Sequence, residues 1–412
     1  RFTDQFTGEV FGSFYANIRP TYQGRRYHQR YEDLVLGAKG NWQMNKNNGF
    51  AFSYTFDNYA KKDDYNLVKL VEKVYNNINH SARLYYTGTF GQHTFNAGVE
   101  AVHESLRHYM MKDTGMVSRT QFSLCVQEDW KINNALNIVV GLRGDKSPNY
   151  SFHITPKVSA LYRPLSFLTF RAGYSQGYRI PSLKELYQEF NMAGMITIYG
   201  NKDLKAETSN SFSTSAEYVH RNYCFTLTGY YNILDNEIST IWNPALDAGK
   251  GAMAYYNVEG TSLASVDATV VARYSCGFGA KLSYAYFHEF TRHNMPITSD
   301  SRPHTFTAQV DYRKTFKHYE MSVTLNGRYL SEGTYSTLDT ATKTYRKTTS
   351  AAYSLWRLIV QQRLYQAVQI TLGIDNLFNY RPKVYQYNSP FTTGTSFTVG
   401  VAVELEQLFK HL

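Results

Sequence analysis

The sequence predicts an all-β fold, an antiparallel transmembrane β-barrel read as one domain over residues 1–412. Three observations predict it. Apolar and polar residues alternate with period two through many stretches of roughly 9–11 residues. Charges fall almost entirely on one face of each stretch, as a wet lumen behind a lipid face requires. The connections alternate short and long, which a soluble sandwich has no reason to do. Composition agrees. Aromatics make up 16% of the chain, 36 of its residues are Tyr, and hydrophobic residues are only 43%. That is too aromatic for disorder. It is also too polar for helical spans, and no run of about 18 apolar residues occurs.

The strands follow in order from the alternation. Leu168, Phe170, Ala172 and Tyr174 oppose Thr169, Arg171, Gly173 and Ser175. Phe306, Ala308, Val310 and Tyr312 oppose Thr305, Thr307, Gln309, Asp311 and Arg313. Tyr319, Met321, Val323, Leu325, Gly327 and Tyr329 oppose Glu320, Ser322, Thr324, Asn326 and Arg328. Phe397, Val399, Val401, Val403 and Leu405 oppose Ser396, Thr398, Gly400, Ala402 and Glu404. About 18 such strands are expected, with the weakest alternation in 1–35 and 235–275. Short turns are expected at 91–93, 131–134, 163–166, 220–222, 275–279, 314–318 and 364–367. Long loops are expected at roughly 57–78, 103–118, 176–207, 235–255, 289–303, 331–348 and 380–395. Trp42, Trp130, Tyr286, Tyr312 and Tyr329 fall toward strand ends, as an interfacial girdle would place them. In lipid every backbone N–H and C=O must pair, so the sheet must close on itself or gain strands from elsewhere.

Other classes find little support. The net charge is +10, but Lys and Arg are interspersed with acids, so nucleic acid is not an expected partner. Cys125, Cys224 and Cys276 are odd in number and far apart, which suits neither a disulfide framework nor a metal cluster. No G-x-S-x-G elbow, His-Glu-x-x-His or Gly-rich phosphate loop occurs, so no enzyme and no catalytic residue is expected. The chain opens at Arg1-Phe2-Thr3 without an initiator Met or an apolar leader, so the expectation is a mature protein or a piece of a longer one.

One long loop, Ser175–Glu207, stands apart. Pro181 holds Ile180 extended and suits the first turn of a helix. Ser182 with Glu185 forms the pattern of a capping box. Leu183, Leu186 and Tyr187 then share an apolar helical face.

In this loop the sequence resembles the barrel of a TonB-dependent outer-membrane receptor. Tyr178-Arg179-Ile180-Pro181 is similar to the family's Phe/Tyr-Arg-Ala-Pro motif. Asn201-Lys202-Asp203-Leu204 is similar to its Asn-Pro-x-Leu motif, followed by Lys205-Ala206-Glu207 in place of Lys-Pro-Glu. Gly229-Tyr230-Tyr231-Asn232 with Asn236-Glu237-Ile238 resembles the next hairpin. Ile374-Asp375-Asn376-Leu377-Phe378-Asn379 resembles the penultimate-strand signature, and Ser396–Leu405 the terminal strand. The resemblance runs the length of the chain and its wording is that of Bacteroidetes members. It implies a barrel of ~22 strands with a plugged lumen. By that measure the plug, the first strands and the TonB-contacting segment lie outside this sequence, which is expected to be the C-terminal part of a receptor.

The resemblance implies the outer membrane of a Gram-negative bacterium as location. Partners would be membrane lipid, a small-molecule ligand, the TonB complex and, in some members, a surface lipoprotein. The implied activity is energised import of a scarce iron complex or tetrapyrrole. No tightly bound cofactor is implied. The transported ligand would be haem first, or a ferric siderophore or cobalamin. The motif residues Tyr178, Arg179, Pro181, Asn201, Asp203 and Leu204 form the ligand-loop signature. Tyr187, Phe190, Met192, Met195 and Tyr199 are candidate ligand contacts in the same loop. The loop lacks the histidine of the family's haem receptors, which leaves Met192 or Met195 as a soft axial ligand for haem iron. Lys202 stands where the family has proline, and Arg179 or Lys202 could attract carboxylates of a ligand. Trp242, Tyr255, Tyr256 and Tyr335, and His103, His108, His288 and His293, occupy other predicted outer loops. A passive porin or a surface adhesin is the alternative from another class.

Overall fold

The computed structural model describes residues 5–20, 27–65, 68–111, 115–192, 194, 196–291, 302–339, 341–342, 344–383 and 389–406. Strands β1 to β9 are Phe6–Pro20, Tyr27–Gln43, Asn48–Tyr65, Leu70–Phe90, His93–His108, Val117–Lys131, Leu136–Ser147, Tyr150–Leu165 and Leu168–Arg179. A short helix, α1 (Leu183–Tyr187), precedes β10 (Glu189–Met192) and β11 (Ile196–Tyr199). Then come β12 (Glu207–His220), β13 (Tyr223–Asp235), β14 (Glu237–Asn243), β15 (Ala252–Val258), β16 (Thr261–Arg273) and β17 (Phe278–Thr291). The last seven are β18 (His304–Thr315), β19 (Tyr319–Leu330), β20 (Gly333–Leu338), β21 (Tyr345–Ser350), β22 (Tyr353–Leu364), β23 (Val368–Asp375) and β24 (Ser396–Val403).

Eighteen strands belong to one antiparallel sheet, the number read from the alternation. β10, β11, β15 and β14 form a small four-stranded sheet, and β20 with β21 a hairpin. The chain divides into two compact units. One comprises Arg1–Ala160, Gly173–Ser211 and Leu234–Gly260; the other comprises Leu161–Ala172, Phe212–Ile233 and Thr261–Leu412.

In the first unit, strands β1 to β7 pair with their chain neighbours. Their two faces are opposite in chemistry. Glu100 registers beside Ser123, and Ser123 beside Asp145. On this face one Arg143 Nη donates to Glu100 at 2.7 Å and to Ser123 Oγ at 2.7 Å, while Nε donates to Asp145 at 3.1 Å. Ser123 and Gln121 also donate to Asp145, at 2.6 and 3.0 Å. The other face carries Val99, Leu124, Leu142 and Val126. Leu124 is 60% exposed whereas Asp145 is 4% exposed. A water-soluble sheet buries its leucines and exposes its carboxylates. This inversion suits hydrocarbon outside and a polar interior.

Rings gather at the short-turn ends. Trp42 stacks on Phe50 at 5.9 Å, and His93 on Trp130 at 5.5 Å. In the second unit Phe167 meets Tyr218 at 5.7 Å, and His318 stacks on Tyr365 at 5.1 Å. Trp42, Trp130 and Tyr329 lie at strand ends as expected, but Tyr286 sits inside β17, opposite His304. Glycines let rings lie flat on the sheet: a Cβ at Gly98 would come within 2.3 Å of Tyr85, and one at Gly327 within 2.2 Å of Trp356.

Each expected short turn lies at the junction of two consecutive strands, but 163–165 belong to the end of β8, 278–279 to the start of β17 and 314–315 to the end of β18. Three expected loops are corrected. Most of 57–78 is strand, because β3 runs to Tyr65 and β4 starts at Leu70. Polar residues there mimic a loop, yet cross-strand pairs such as Lys62 with Glu32 at 2.6 Å keep the ladder going. The region 235–255 holds β14 and most of β15, and 331–348 holds β20 and part of β21. Strands also exceed the expected length; β4 has 21 residues.

Candidate functional site

The segment after β9 is built around one guanidinium. Arg179 ends β9. Its Nη1 donates to Glu185 Oε2 at 2.9 Å, and its Nε donates to the Glu207 carboxylate at the start of β12. Glu185 also accepts from the Ser182 N–H at 2.6 Å, and the Ser182 hydroxyl accepts from the Glu185 N–H at 3.2 Å. This is the capping box read from the sequence, with α1 beginning at Leu183. Pro181 therefore stands before the cap and not in the first helical turn. Glu207 accepts in turn from the Ile238 N–H at 2.6 Å, which ties β14 to the same point. Burial alone would push the Glu185 carboxyl up, but hydrogen bonds from Arg179 and Ser182 prevail and hold it below the ordinary carboxylate range.

Apolar packing fixes the helix. Leu183 is 2% exposed and packs with Leu106 and Met111, flanked by Tyr75, Val117 and Tyr187. Pro181 is fully buried, and its carbonyl accepts from Arg119 Nη1 at 2.7 Å. Arg119 is itself paired with Glu104 at 2.8 Å.

The second motif closes the loop on the small sheet. The Asn201 N–H donates to the Glu185 carbonyl at 2.9 Å, its Nδ2 to the Tyr255 carbonyl at 3.1 Å, and its Oδ1 accepts from the Asp203 N–H at 2.9 Å. Leu204 is buried, and its carbonyl accepts from the Tyr150 hydroxyl. Asn257 brackets Lys205, accepting its N–H at 2.7 Å and donating to its carbonyl at 3.0 Å. Gly200 approaches backbone directly: a Cβ there would lie 2.5 Å from the Gln188 nitrogen.

Within the small sheet β10 pairs antiparallel with β11, β11 runs parallel to β15, and β15 pairs antiparallel with β14. Four of the five candidate contacts lie on or beside it. Lys202 Nζ sits 5.2 Å over the Tyr187 ring, and Phe190 meets Tyr109 edge-on at 6.3 Å. Tyr199 donates to Asp247, and that carboxylate, followed by burial, pushes the phenol up to about 12. Met192 is 43% exposed at the end of β10. Met195 lies outside the described residues. The structure thus sorts the loop. Arg179, Pro181, Asn201 and Leu204 are spent on internal contacts, Tyr178 stacks on His153 at 4.3 Å, and Asp203 is exposed.

Sequence reasoning missed Arg119, Gln188 and Asn257 as parts of this framework, and marked Tyr255 only as a loop aromatic, whereas its carbonyl accepts from Asn201 and its hydroxyl donates to Gln188 at 3.3 Å. Their partners lie far away in sequence, so no local pattern marks them. Asn243 donates to the Tyr256 hydroxyl at 2.7 Å, and a Cβ at Gly251, whose φ is +81°, would collide with Trp242. Tyr335 is buried in β20. His103 bonds Thr120 at 2.9 Å, His108 accepts from the Met110 N–H at 3.0 Å, and His288 packs on Phe290 at 4.3 Å. His293 lies outside the described residues. Among the described residues no three His, Cys, Asp or Glu converge to hold a metal ion.

The family model for the TonB dependent receptor-like β-barrel matches residues 1–377. An iron-regulated outer membrane virulence protein of Vibrio cholerae serotype O1 is 27% identical over 285 residues, covering 66% of this chain and 42% of that protein. The chain thus spans less than half the length of that curated relative. Among solved structures, the FrpB iron transporter of Neisseria meningitidis aligns with a TM-score of 0.72 at 12% identity, covering 96% of this chain and 68% of that one. The siderophore receptor PirA of Acinetobacter baumannii aligns at 0.66 with 11% identity, covering 97% and 80%. A ferric enterobactin receptor (PfeA) variant of Pseudomonas aeruginosa, in complex with enterobactin, aligns at 0.64 with 15% identity, covering 92% and 72%.

Proposed function

This chain belongs to the TonB-dependent receptor β-barrel family, and from that premise we propose that it captures an iron chelate at the cell surface for import driven by the TonB complex. It resides in the outer membrane of a Gram-negative bacterium. The observation that carries the reading is the platform after β9: a helix bearing Tyr187 and a four-stranded sheet, braced by Arg179, with Phe190 and Met192 on one face of the β10–β11 ladder and Tyr199 on the other. A braced platform presents aromatic faces without an ordering cost at each encounter. Its relatives transport iron or are iron-regulated, which supports a ferric siderophore as the cargo. The role is transport and not catalysis. In this reading the barrel captures, and the plug and TonB-contacting segment that accompany it complete the import.

Haem is the second reading, favoured by the exposed Met192 thioether, a soft donor for haem iron. Uptake of radioactive iron by an iron-starved strain lacking the receptor tests the first reading. Restoring the full-length gene should restore uptake from a siderophore, and Phe190→Ala with Tyr199→Ala should reduce it at unchanged surface level. Uptake restored from haemin alone would move haem to first place. No iron uptake from either source would sink both.

A further inference from the structure

The chain leaving β5 meets α1 and the small sheet, and it turns on one imidazole. His108 ends β5. Its Nδ1 accepts from the Met110 N–H at 3.0 Å, and its carbonyl accepts from the Met111 N–H at 3.0 Å. The Met110 carbonyl accepts from the Glu189 N–H at 2.7 Å, and Met111 forms an antiparallel bridge with Gln188. Residues 110–111 therefore lie against the start of β10 as a short extra rung. Met111 is 5% exposed and packs with Leu183 of α1 and with Leu106. The same turn reaches a candidate ligand contact. Tyr109 stacks on His108 at 4.9 Å and meets Phe190 edge-on at 6.3 Å. Gln188 is buried and carries the tie onward, since its side chain accepts from the Tyr255 hydroxyl of β15 at 3.3 Å.

An imidazole nitrogen that accepts a hydrogen bond carries no proton. The bond from Met110 therefore exists only while the ring is neutral, with its proton on Nε2. The surroundings favour that form. Among the described residues two charges act on the ring, Lys184 from α1 and Lys61 from β3, and both are positive. Tyr75 of β4 faces the ring edge-on at 5.1 Å, and Tyr109 covers it. Lys61 in turn sits 5.7 Å over the Tyr109 ring. Burial first, then Lys184 and Lys61, push the imidazole below its ordinary value of 6.5. A proton gained on Nδ1 would set two donors face to face and place a third cation beside two lysines.

We infer that His108 is a positioning residue that latches the platform after β9 while its ring is neutral, and that acid opens the latch. The folded ring takes up a proton less readily than the unfolded one. Its stabilisation is therefore complete above the ordinary value of 6.5 and is lost as pH falls through the lower folded value. Glu185 titrates below 4.5, so the Arg179 brace stays charged while the latch opens. Opening frees Met110 and Met111 from β10 and withdraws Tyr109 from the Phe190 ring. A ligand seated on that ring at neutral pH is then held less well in acid, a consequence that rests on the iron-chelate reading above.

The test is hydrogen exchange in the purified full-length receptor in detergent, labelled at about pH 8 and about pH 5 and corrected for the intrinsic pH dependence of exchange. The reporters are the Met111 and Glu189 amides, which bond within the turn and across to β10. The native receptor should lose about fivefold in protection there at the lower pH, the net contribution of one hydrogen bond. H108N offers a neutral amide oxygen to the Met110 N–H and should show the same protection at both pH values. H108K supplies a cation without an acceptor and should show the low protection at both. Heat-modifiable migration identifies folded barrels among the variants. Native protection that does not change with pH overturns the latch. An acid loss in H108N equal to the native one also overturns it, as does a folded H108K protected like the native receptor at the higher pH. The readout uses no ligand, so a failed latch leaves the iron-chelate reading standing, and the failure of that reading shows separately in the uptake experiment.

Discussion

Two segments tether the platform after β9 in opposite ways. Around the segment between β9 and β12, Arg179 at the end of β9 meets two carboxylates and Arg119 of β6 meets a third, so each charge is consumed by the fold. At the end of β5, His108 serves as an uncharged acceptor beside Lys184 and Lys61. Both groups are basic and the surroundings decide their use. A cation flanked by converging carboxylates holds a loop together, whereas a ring set beside cations holds only while it stays neutral. The strongest sequence motif of this chain thus marks a permanent brace, and a quieter stretch supplies a conditional one.

The contrast breaks first at the brace. Leu183→Ala removes a side chain that is 2% exposed and should cost about 3 kcal/mol, undocking α1. Limited proteolysis should then cut within 180–206 in folded receptor. Arg179→Ala leaves Glu185 and Glu207, with side chains 16% and 11% exposed, facing each other without a cation. About 2 kcal/mol is expected, less than for a buried pair because Arg179 itself is 45% exposed. Lysine should not rescue it, since one ammonium cannot reproduce a fork that serves two carboxylates. Denaturant titration of the proteolytic cut checks both.

Acid should loosen the same brace more gently. The folded Glu185 titrates below its ordinary value of 4.5, so its contribution is present above that pH and is lost as pH falls through the lower folded value. Cleavage of the loop by an acid-active protease should rise as pH falls below the ordinary carboxyl value of 4.5 and should lose that dependence in Glu185→Gln. The smallest effect belongs to the latch. His108→Asn keeps an acceptor for the Met110 N–H but loses the ring contacts with Tyr75 and Tyr109, and should cost about 1 kcal/mol at neutral pH, read from thermal unfolding.

Much of this was legible in the sequence. Alternation gave the sheet, the short turns and the face chemistry, because a strand's period is local. The helix was legible because Ser182 and Glu185 lie within one turn of each other. The small sheet was not. Its parallel register sets Ile198 beside Met253, across a distance no local period spans. The polar ends of β3 and β4 read as loop because ion pairs and tyrosine packing, not apolar alternation, sustain them. The motif residues were legible as a signature, but their service to Glu185, Glu207 and Tyr255 appears only when those partners converge.

The most direct measurement places the two tethers side by side. Surface level, heat-modifiable migration, proteolytic cutting at neutral pH and at about pH 5, and uptake of iron from a siderophore at neutral pH would be followed in cells carrying native receptor, Arg179→Ala or His108→Asn. The expected result is that Arg179→Ala gives a folded receptor that is cut within 180–206 at either pH and takes up less iron, while the native receptor is cut there only at the lower pH and His108→Asn at neither. A folded Arg179→Ala receptor that stays uncut, or a His108→Asn receptor cut in acid as the native one is, would contradict the division of labour between permanent brace and conditional latch.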